Sequence, residues 1–405
     1  MNIKKALSGK FVLDSFWMLA AYFIVALSGI VINFILGRYY GPDAVGVFNQ
    51  AYSLFQIFAV IGAMGINFST VKHVAESRDD GKKIIQIFST SQVLTFSFSL
   101  LISIVIITAL SAFPNLTSSE NVRRSTILIT VSLPFFVTNK NQWSYYIGFR
   151  RMREYSIFRL LRWVSIICIV SIWTLFKLPM IYAVIAFPVT DMLMSVVLHI
   201  LNGKAFSTDE VKKSWVEKHL SFGFKSILTE VFSSIHARIP VLIIGYFLND
   251  NEAGMYSIAA TMASGIMIIA SIMQDNFNPL MANLHSAGDT EKLGGYVRKL
   301  KKFSLFSLLP LLVASVVLYK VYILLLGSQY KETSAIFYYL IAGVGLTYLV
   351  SWAGGVLTMT GNQMLNLVRI LVTLAITVAG CIVMIPLMGV KGAAIAFIFS
   401  SLVNV

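Results

Sequence analysis

Apolar runs long enough to cross a bilayer follow one another along almost the whole chain. A crossing takes about 20 mostly apolar residues. By that ruler twelve runs stand out, at 14–36, 44–66, 86–111, 125–147, 160–176, 180–200, 224–248, 253–275, 303–326, 333–358, 366–386 and 391–405. Short turns bearing Gly or Pro part them, as at Pro114, Pro179 and Pro386. The pattern predicts an all-α polytopic membrane protein with about twelve transmembrane helices. The last run is short, which marks a clipped chain end or a helix with little tilt.

Composition agrees. The 405 residues are 57% apolar and only 12% charged, with mean hydropathy +0.78; soluble domains are usually about 25% charged. The net charge is +14, and its placement matters more than its size, because Lys and Arg collect in cytoplasmic loops. With the N-terminus inside, the inner segments 4–10, 72–83, 150–162, 204–225 and 292–302 together with Arg369 hold 23 of the basic residues. The outer segments hold 7, and Lys140 and Arg238 fall within spans, completing the 32. The split predicts a cytoplasmic N-terminus and explains most of the positive charge without nucleic acid. No cleavable signal is evident after MNIKKALSGK. Cys168 and Cys381 both lie in apolar runs and read as packed thiols.

The chain repeats itself. GRYYGPDAVGVFNQAY from Gly37 matches GYFLNDNEAGMYSIAA from Gly245, so Gly37 and Gly46 answer to Gly245 and Gly254 at an offset of 208. Asn67 and Asp80 answer to Asn276 and Asp289 at 209, and Arg159–Phe187 to Arg369–Phe397 at 210, each ending in IAF. Two bundles of six spans are expected, over 1–201 and 222–405, with a polar linker over 202–221. Six is even, so the halves insert the same way and are related by a pseudo-two-fold axis along the membrane normal. Parallel repeats of this kind occur in transporters that bind substrate between rocking halves. The stretch GRYYGPDAVGVFNQ has phosphate-loop glycines but no Lys-Ser/Thr after them. It reads as a tight turn followed by close helix packing at Gly46.

These residues resemble a known family. GRYYGPDAVGVFNQAYSLFQIFAVIGAMGINFSTVKHVAE, with its second-half counterpart IIGYFLNDNEAGMYSIAATMASGIMIIASIMQDNFNPLMANLHSAGD, is similar to the bacterial polysaccharide (O-antigen, Wzx-type) flippases. These belong to the multidrug/oligosaccharidyl-lipid/polysaccharide exporter superfamily. The resemblance implies translocation of an undecaprenyl-diphosphate-linked oligosaccharide across the bacterial cytoplasmic (inner) membrane. It also implies membrane lipids, a polysaccharide polymerase and a chain-length regulator as partners, and a monomeric protein without cofactor. Many members carry an acid about five positions before the glycine matching Gly245. Pro240 stands there, so that role does not transfer.

Ionisable groups in spans are costly and usually face a cavity or a partner. Asp14, Lys140, Asp191, Glu230, Arg238 and Asp275 are such groups. In the seventh span Ser226, Thr229, Glu230, Ser233, Ser234, His236 and Arg238 cover about half the helix. Glu230 and Arg238 lie about 12 Å apart along the axis, too far to pair, so each needs another partner. In the fourth span TNKNQWS places Asn139, Lys140, Asn141 and Gln142 in succession, so no single face holds them all. The expected substrate-binding residues of the cavity are Arg238, Lys140, Glu230, Ser234, His236, Asn139 and Gln142. Arg238 and Lys140 suit a diphosphate. Lys140 either faces the cavity or snorkels, while Asp14 and Asp275 read as caps or snorkelling groups near the cytoplasmic ends.

No GxxxxGK[ST] loop is present for ATP, so an ion gradient is the expected drive, with Glu230 and Asp191 as ion-coupling candidates and His236 a further titratable group. The basic run FRRMREYSIFRLLR (149–162) reads as an inner loop facing anionic head groups. An enzyme is not expected, since no D-x-D and no large outer loop is found. The alternative is a multidrug or small-molecule cation antiporter of the same superfamily, whose lumen would be acidic.

Overall fold

The computed structural model describes residues 9–403, apart from the side chains of 9–15, 225, 226, 275, 276 and 279. Among the described residues the regular structure is helical throughout. In chain order the α-helices are α1 (Gly9–Tyr40), α2 (Pro42–Ala63), α3 (Ile66–Glu76), α4 (Gly81–Ala112), α5 (Glu120–Thr130), α6 (Leu133–Gly148), α7 (Met152–Leu175), α8 (Ala186–Asn202), α9 (Lys213–Phe247), α10 (Asp250–Ser264), α11 (Met267–Ser286), α12 (Thr290–Leu326), α13 (Thr333–Met359), α14 (Gln363–Met388) and α15 (Val390–Val403).

Among the described residues each of the twelve expected spans meets one helix or a broken pair, the last as far as Val403. Nine helical segments among the described residues are long and apolar enough to cross a membrane, and the α10–α11 pair, bent by 45°, makes a tenth. The fourth span is divided between α5 and α6, and a 3₁₀ turn, Met180–Ile185, opens the sixth. The second span ends earlier than hydropathy suggests. Met64 and Gly65 both take positive φ, 48° and 67°, which stops α2 before α3 restarts the helix.

The repeat is visible in the helices. α2–α3 and α10–α11 are each broken pairs, the second break falling about two turns earlier than the repeat offset would put it, and Asp80 and Asp289, matched in sequence, are both N-caps. Asp80 accepts from the backbone N–H of Lys83 at 3.0 Å and Asp289 from that of Lys292 at 3.1 Å, each satisfying one orphan donor of a first turn.

The chain forms two compact units, one running up to Ile32 with Gln50–Ser234, the other made of Asn33–Asn49 with Ile235–Val405. The polar linker does not separate them. It holds two 3₁₀ turns, Gly203–Ala205 and Thr208–Glu210, and its second part already belongs to α9.

In the first unit α6 is the hub, packed on α3, α4, α7 and α8. An aromatic core of Tyr52, Phe55, Phe136, Trp163 and Phe187 lies beside it. At the basic end a smaller cluster of Val74, Ile84, Ile87 and Trp215 fastens the start of α9.

In the second unit α13 is the hub, packed on α10, α11, α12 and α15. The tip of the first hairpin, Asn33–Asn49, is built into this unit. Asn33 donates to Thr261 at 3.0 Å, Tyr330 donates to the Gly37 carbonyl at 2.7 Å, and Asn251 donates to Asp43 at 3.0 Å. Here the two matched glycines meet. A β-carbon on Gly46 would overlap the Asp250 carbonyl, and one on Gly254 would overlap the Pro42 carbonyl. Pro42 and Asp250 are themselves 208 apart, so the contact is reciprocal and two helix starts cross with backbone against backbone.

Candidate functional site

Four consecutive polar residues on α6 could not share a face, and the structure shows where each one goes. Asn139 turns to α8, donating to the Asp191 carbonyl at 2.9 Å and accepting from Ser195 at 2.7 Å. Asn141 turns to α3 and α4, accepting from Thr70 at 2.7 Å and donating to Ser91 at 2.8 Å. Gln142 accepts from Asn202 at 2.9 Å, and Asn202 accepts in turn from the Tyr146 hydroxyl at 3.0 Å. Each amide thus satisfies a polar need inside the helix bundle. Lys140 points elsewhere, to α9. Its Nζ lies 2.9 Å from Glu230 Oε1.

Lys140 therefore meets neither of its two expected fates alone. It is neither an isolated cavity cation nor a snorkelling one, because its charge is answered by Glu230. The partner required for Glu230 by its distance from Arg238 is Lys140. The pair is 26% and 22% exposed, so it is open to exchange. Glu230 Oε2 has no hydrogen-bond partner among the described residues.

Asp191 is different. Both of its oxygens are held by Arg162, at 2.6 and 2.9 Å, and the two side chains are 0% and 2% exposed. The guanidinium also lies over the Phe136 ring at 4.3 Å and the Trp163 ring at 5.4 Å, a geometry favourable to Arg. Arg162 was counted as the end of the inner basic loop. That placement is corrected: it is a buried counter-ion inside the bundle. The available signal was Asp191 itself, an acid in a span that required a cation, with Arg162 two residues inside the fifth expected span.

The remaining expected site residues divide between the units. Ser234, buried, closes the first unit's share of α9. His236 and Arg238 belong to the second unit, where His236 Nε2 lies 3.2 Å from the Thr377 hydroxyl of α14, and Arg238 is half-buried. The side chains of Asp14 and Asp275 lie outside the described residues. Among the described residues no group of three or more His, Cys, Asp or Glu is placed to hold a metal ion.

The hubs differ in chemistry. At the repeat offset of 209, the positions answering Asn139–Gln142 are Tyr348, Leu349, Val350 and Ser351. The polar fan of α6 has no equal in α13.

Comparison with known proteins places this architecture. No curated protein matches the chain by sequence. Among solved structures it is similar to an inward-facing multidrug resistance MATE family transporter of the MOP superfamily, with TM-score 0.79 and 12% identity over 94% of this chain and 92% of that one. It is similar to an outward-facing MATE transporter, with TM-score 0.68 and 13% identity over 98% and 92%. A MOP superfamily transporter from Pyrococcus furiosus, described as having a binding pocket of reverse polarity, gives TM-score 0.68 and 14% identity over 98% and 92%. The family model described as "Polysaccharide biosynthesis protein" matches residues 11–285. That match covers more than half of the chain, which therefore belongs to the polysaccharide biosynthesis protein family and is a multi-pass membrane protein with the MOP-superfamily fold.

Proposed function

We propose that the protein is a flippase and not an enzyme. In this reading it moves an undecaprenyl-diphosphate-linked oligosaccharide, of O-antigen or a related repeat unit, across the bacterial cytoplasmic membrane with its N-terminus inside. Alternating access carries the substrate, and an ion gradient drives it. The family supports a role in polysaccharide biosynthesis. The observation that carries the substrate class is Lys140: a cation within a span, about a quarter exposed, whose partner is a carboxylate that another anion can replace. A diphosphate is such an anion. Asp191, closed against Arg162, is poorly placed for coupling, so Glu230 takes that role.

The test is surface polysaccharide in a strain lacking its own flippase. Lys140→Ala, made at normal levels, is expected to lower it about 10- to 100-fold, the worth of a charge-assisted contact. Full activity of Lys140→Ala would refute the reading. Arg238→Glu tests the cation that α9 itself carries, and its full activity would remove Arg238 from the reading. A protonophore is expected to collapse translocation into vesicles, and indifference to it would remove the proton.

A second reading keeps the fold and reverses the charge. Two of the similar structures are described as multidrug resistance transporters, and Glu230 Oε2, without a hydrogen-bond partner among the described residues, offers an acceptor to a cationic compound. There Glu230→Gln abolishes drug resistance while Lys140→Ala leaves surface polysaccharide unchanged.

A further inference from the structure

The face of α6 turned away from Lys140 borders a cavity of about 450 Å³ between α4, α6 and α8, within the first unit. Phe135, Thr138 and Gln142 recur at i, i+3 and i+7 and line it together. Lys140 is two residues, or about 200° of helical rotation, from both Thr138 and Gln142. The cavity and the Lys140–Glu230 pair therefore lie on opposite sides of one helix.

Its walls are mostly hydrocarbon, including Phe96, Val196 and Ile200. Val196 and Ile200 are 58% and 74% exposed, so the cavity opens along the outer side of α8, where a membrane protein meets lipid. Three amides interrupt this surface, Gln92, Gln142 and Asn202, and the Asn202 N–H is already given to Gln142, which leaves two with a donor to offer. Gln92 is only 6% exposed, lines the cavity, and its Nε2 has no hydrogen-bond partner among the described residues. Buried N–H groups are seldom left so. Gln142 ends the chain from Tyr146 through Asn202 as an acceptor, which leaves its Nε2 as the donor end. Among the described residues no Lys, Arg, Asp or Glu lines the cavity, and His199 is the titratable residue of its walls.

That combination selects a ligand. Two amide donors without a cation match neutral acceptor oxygens and not a phosphate, while the apolar wall matches a hydrocarbon chain. Depth narrows it further. Gln142 is six residues, about 9 Å, from the end of α6, and Gln92 is nine residues, about 14 Å, beyond Lys83. Lys82, Lys83, Arg150, Arg151 and Lys204 follow or precede these ends, so the amides sit beneath a basic layer suited to lipid head groups. Ester carbonyls lie at the top of the hydrocarbon region, beneath those head groups. The volume is within the usual range of ligand cavities.

We infer that this cavity holds one glycerophospholipid of the leaflet on the Lys/Arg-rich side. An acyl chain lies against Phe96, Val196 and Ile200, and ester carbonyls accept from Gln92 and Gln142. The site is separate from the proposed transport site and stands whether or not that reading holds.

Native mass spectrometry of the purified full chain tests it, with three probes: a diacyl phosphatidylethanolamine, its dialkyl ether analogue with the same head group, and undecaprenyl phosphate. The ester lipid is expected to be retained as one bound copy, about fivefold above the ether analogue, the worth of one net hydrogen bond. Gln92→Leu and Gln142→Leu, each monodisperse, should abolish that preference. Val196→Trp, which enlarges the apolar wall and leaves both amides in the sequence, should lose both phospholipids. Equal retention of ester and ether lipid by the unaltered protein overturns the inference and needs no variant. Displacement of the phospholipid by equimolar undecaprenyl phosphate, or undiminished retention in Val196→Trp, also overturns it.

Discussion

Lys140 and Glu230, ninety residues apart in sequence, close an ion pair of 2.9 Å between α6 and α9. Each is the other's answer to the cost of a charge in a membrane span. Removing either one leaves its partner uncompensated. Because the pair is about a quarter exposed, Lys140→Ala should cost about 1–3 kcal/mol, below the 3–5 kcal/mol of a sealed pair. The exchange Lys140→Glu with Glu230→Lys should restore the melting temperature of detergent-purified protein without restoring transport, since the cation has moved to another helix. Recovery of transport by the exchanged pair would mean that only the pairing matters.

The sealed pair predicts a different response. Arg162→Ala leaves Asp191 buried without a counter-ion and should cost about 3–5 kcal/mol, seen as loss of folded protein on fluorescence-detected size exclusion. Arg162→Met with Asp191→Leu removes both charges and should regain most of that loss. If the single variant is as stable as the unaltered protein, the pair is not holding α7 to α8.

Backbone crossing makes Gly46 and Gly254 intolerant. Alanine at either must push two helix starts apart, at about 1–3 kcal/mol or more, whereas Gly81→Ala adds its methyl to open space. Thermal melts of the three variants should rank accordingly. Equal melting temperatures would show that the crossing yields easily.

Near the basic end, His219 sits between α3 and α4. Its Nε2 lies 3.2 Å from the Ile87 carbonyl, which can only accept, so Nε2 carries the hydrogen and Nδ1 accepts from the Ser69 hydroxyl at 2.9 Å. Because a serine hydroxyl can donate or accept, it is burial that keeps the ring neutral and so gives Ser69 the donor's role. Burial pushes its pKa down from 6.5 to about 4, against the Ile87 hydrogen bond and alongside repulsion from His73. His73, Glu76, Lys72 and Lys218 are the charged neighbours at this end. A depressed histidine favours the fold while both states are neutral, so stability is full above pH 6.5. It falls as pH drops from 6.5 toward 4, by about 3 kcal/mol in all. Melting temperature against pH should show this slope, and His219→Gln should flatten it. A slope unchanged by the substitution would place the titration on another group, with His73 next.

The hydrophobic pattern revealed the helices well, because twenty apolar residues have one use in a chain this greasy. It revealed the breaks poorly. Met64 and Gly65 leave the helical region in the midst of apolar sequence, and only backbone dihedrals show it. Site chemistry was half legible. Four adjacent polar residues on α6 had to find several partners, and Glu230 had to find one other than Arg238, but periodicity could not say that these two needs met. Arg162 was hidden by its company, since a basic residue ending a basic run looks like loop. His219, in a polar stretch, gave no sign of burial. The cavity beside α8 is formed by three helices distant in sequence and left no motif at all.

The contact between Gly46 and Gly254 also sets an order of manufacture. Asp43 and Asn251, which bond beside it, are 208 residues apart, and translation proceeds at about 5–20 residues per second. The tip of the first hairpin thus waits roughly 10–40 s in the membrane before its packing partner is made. A ribosome that stalls, or a gene cut between the halves, leaves a polar, glycine-rich helix crossing with nothing to cross.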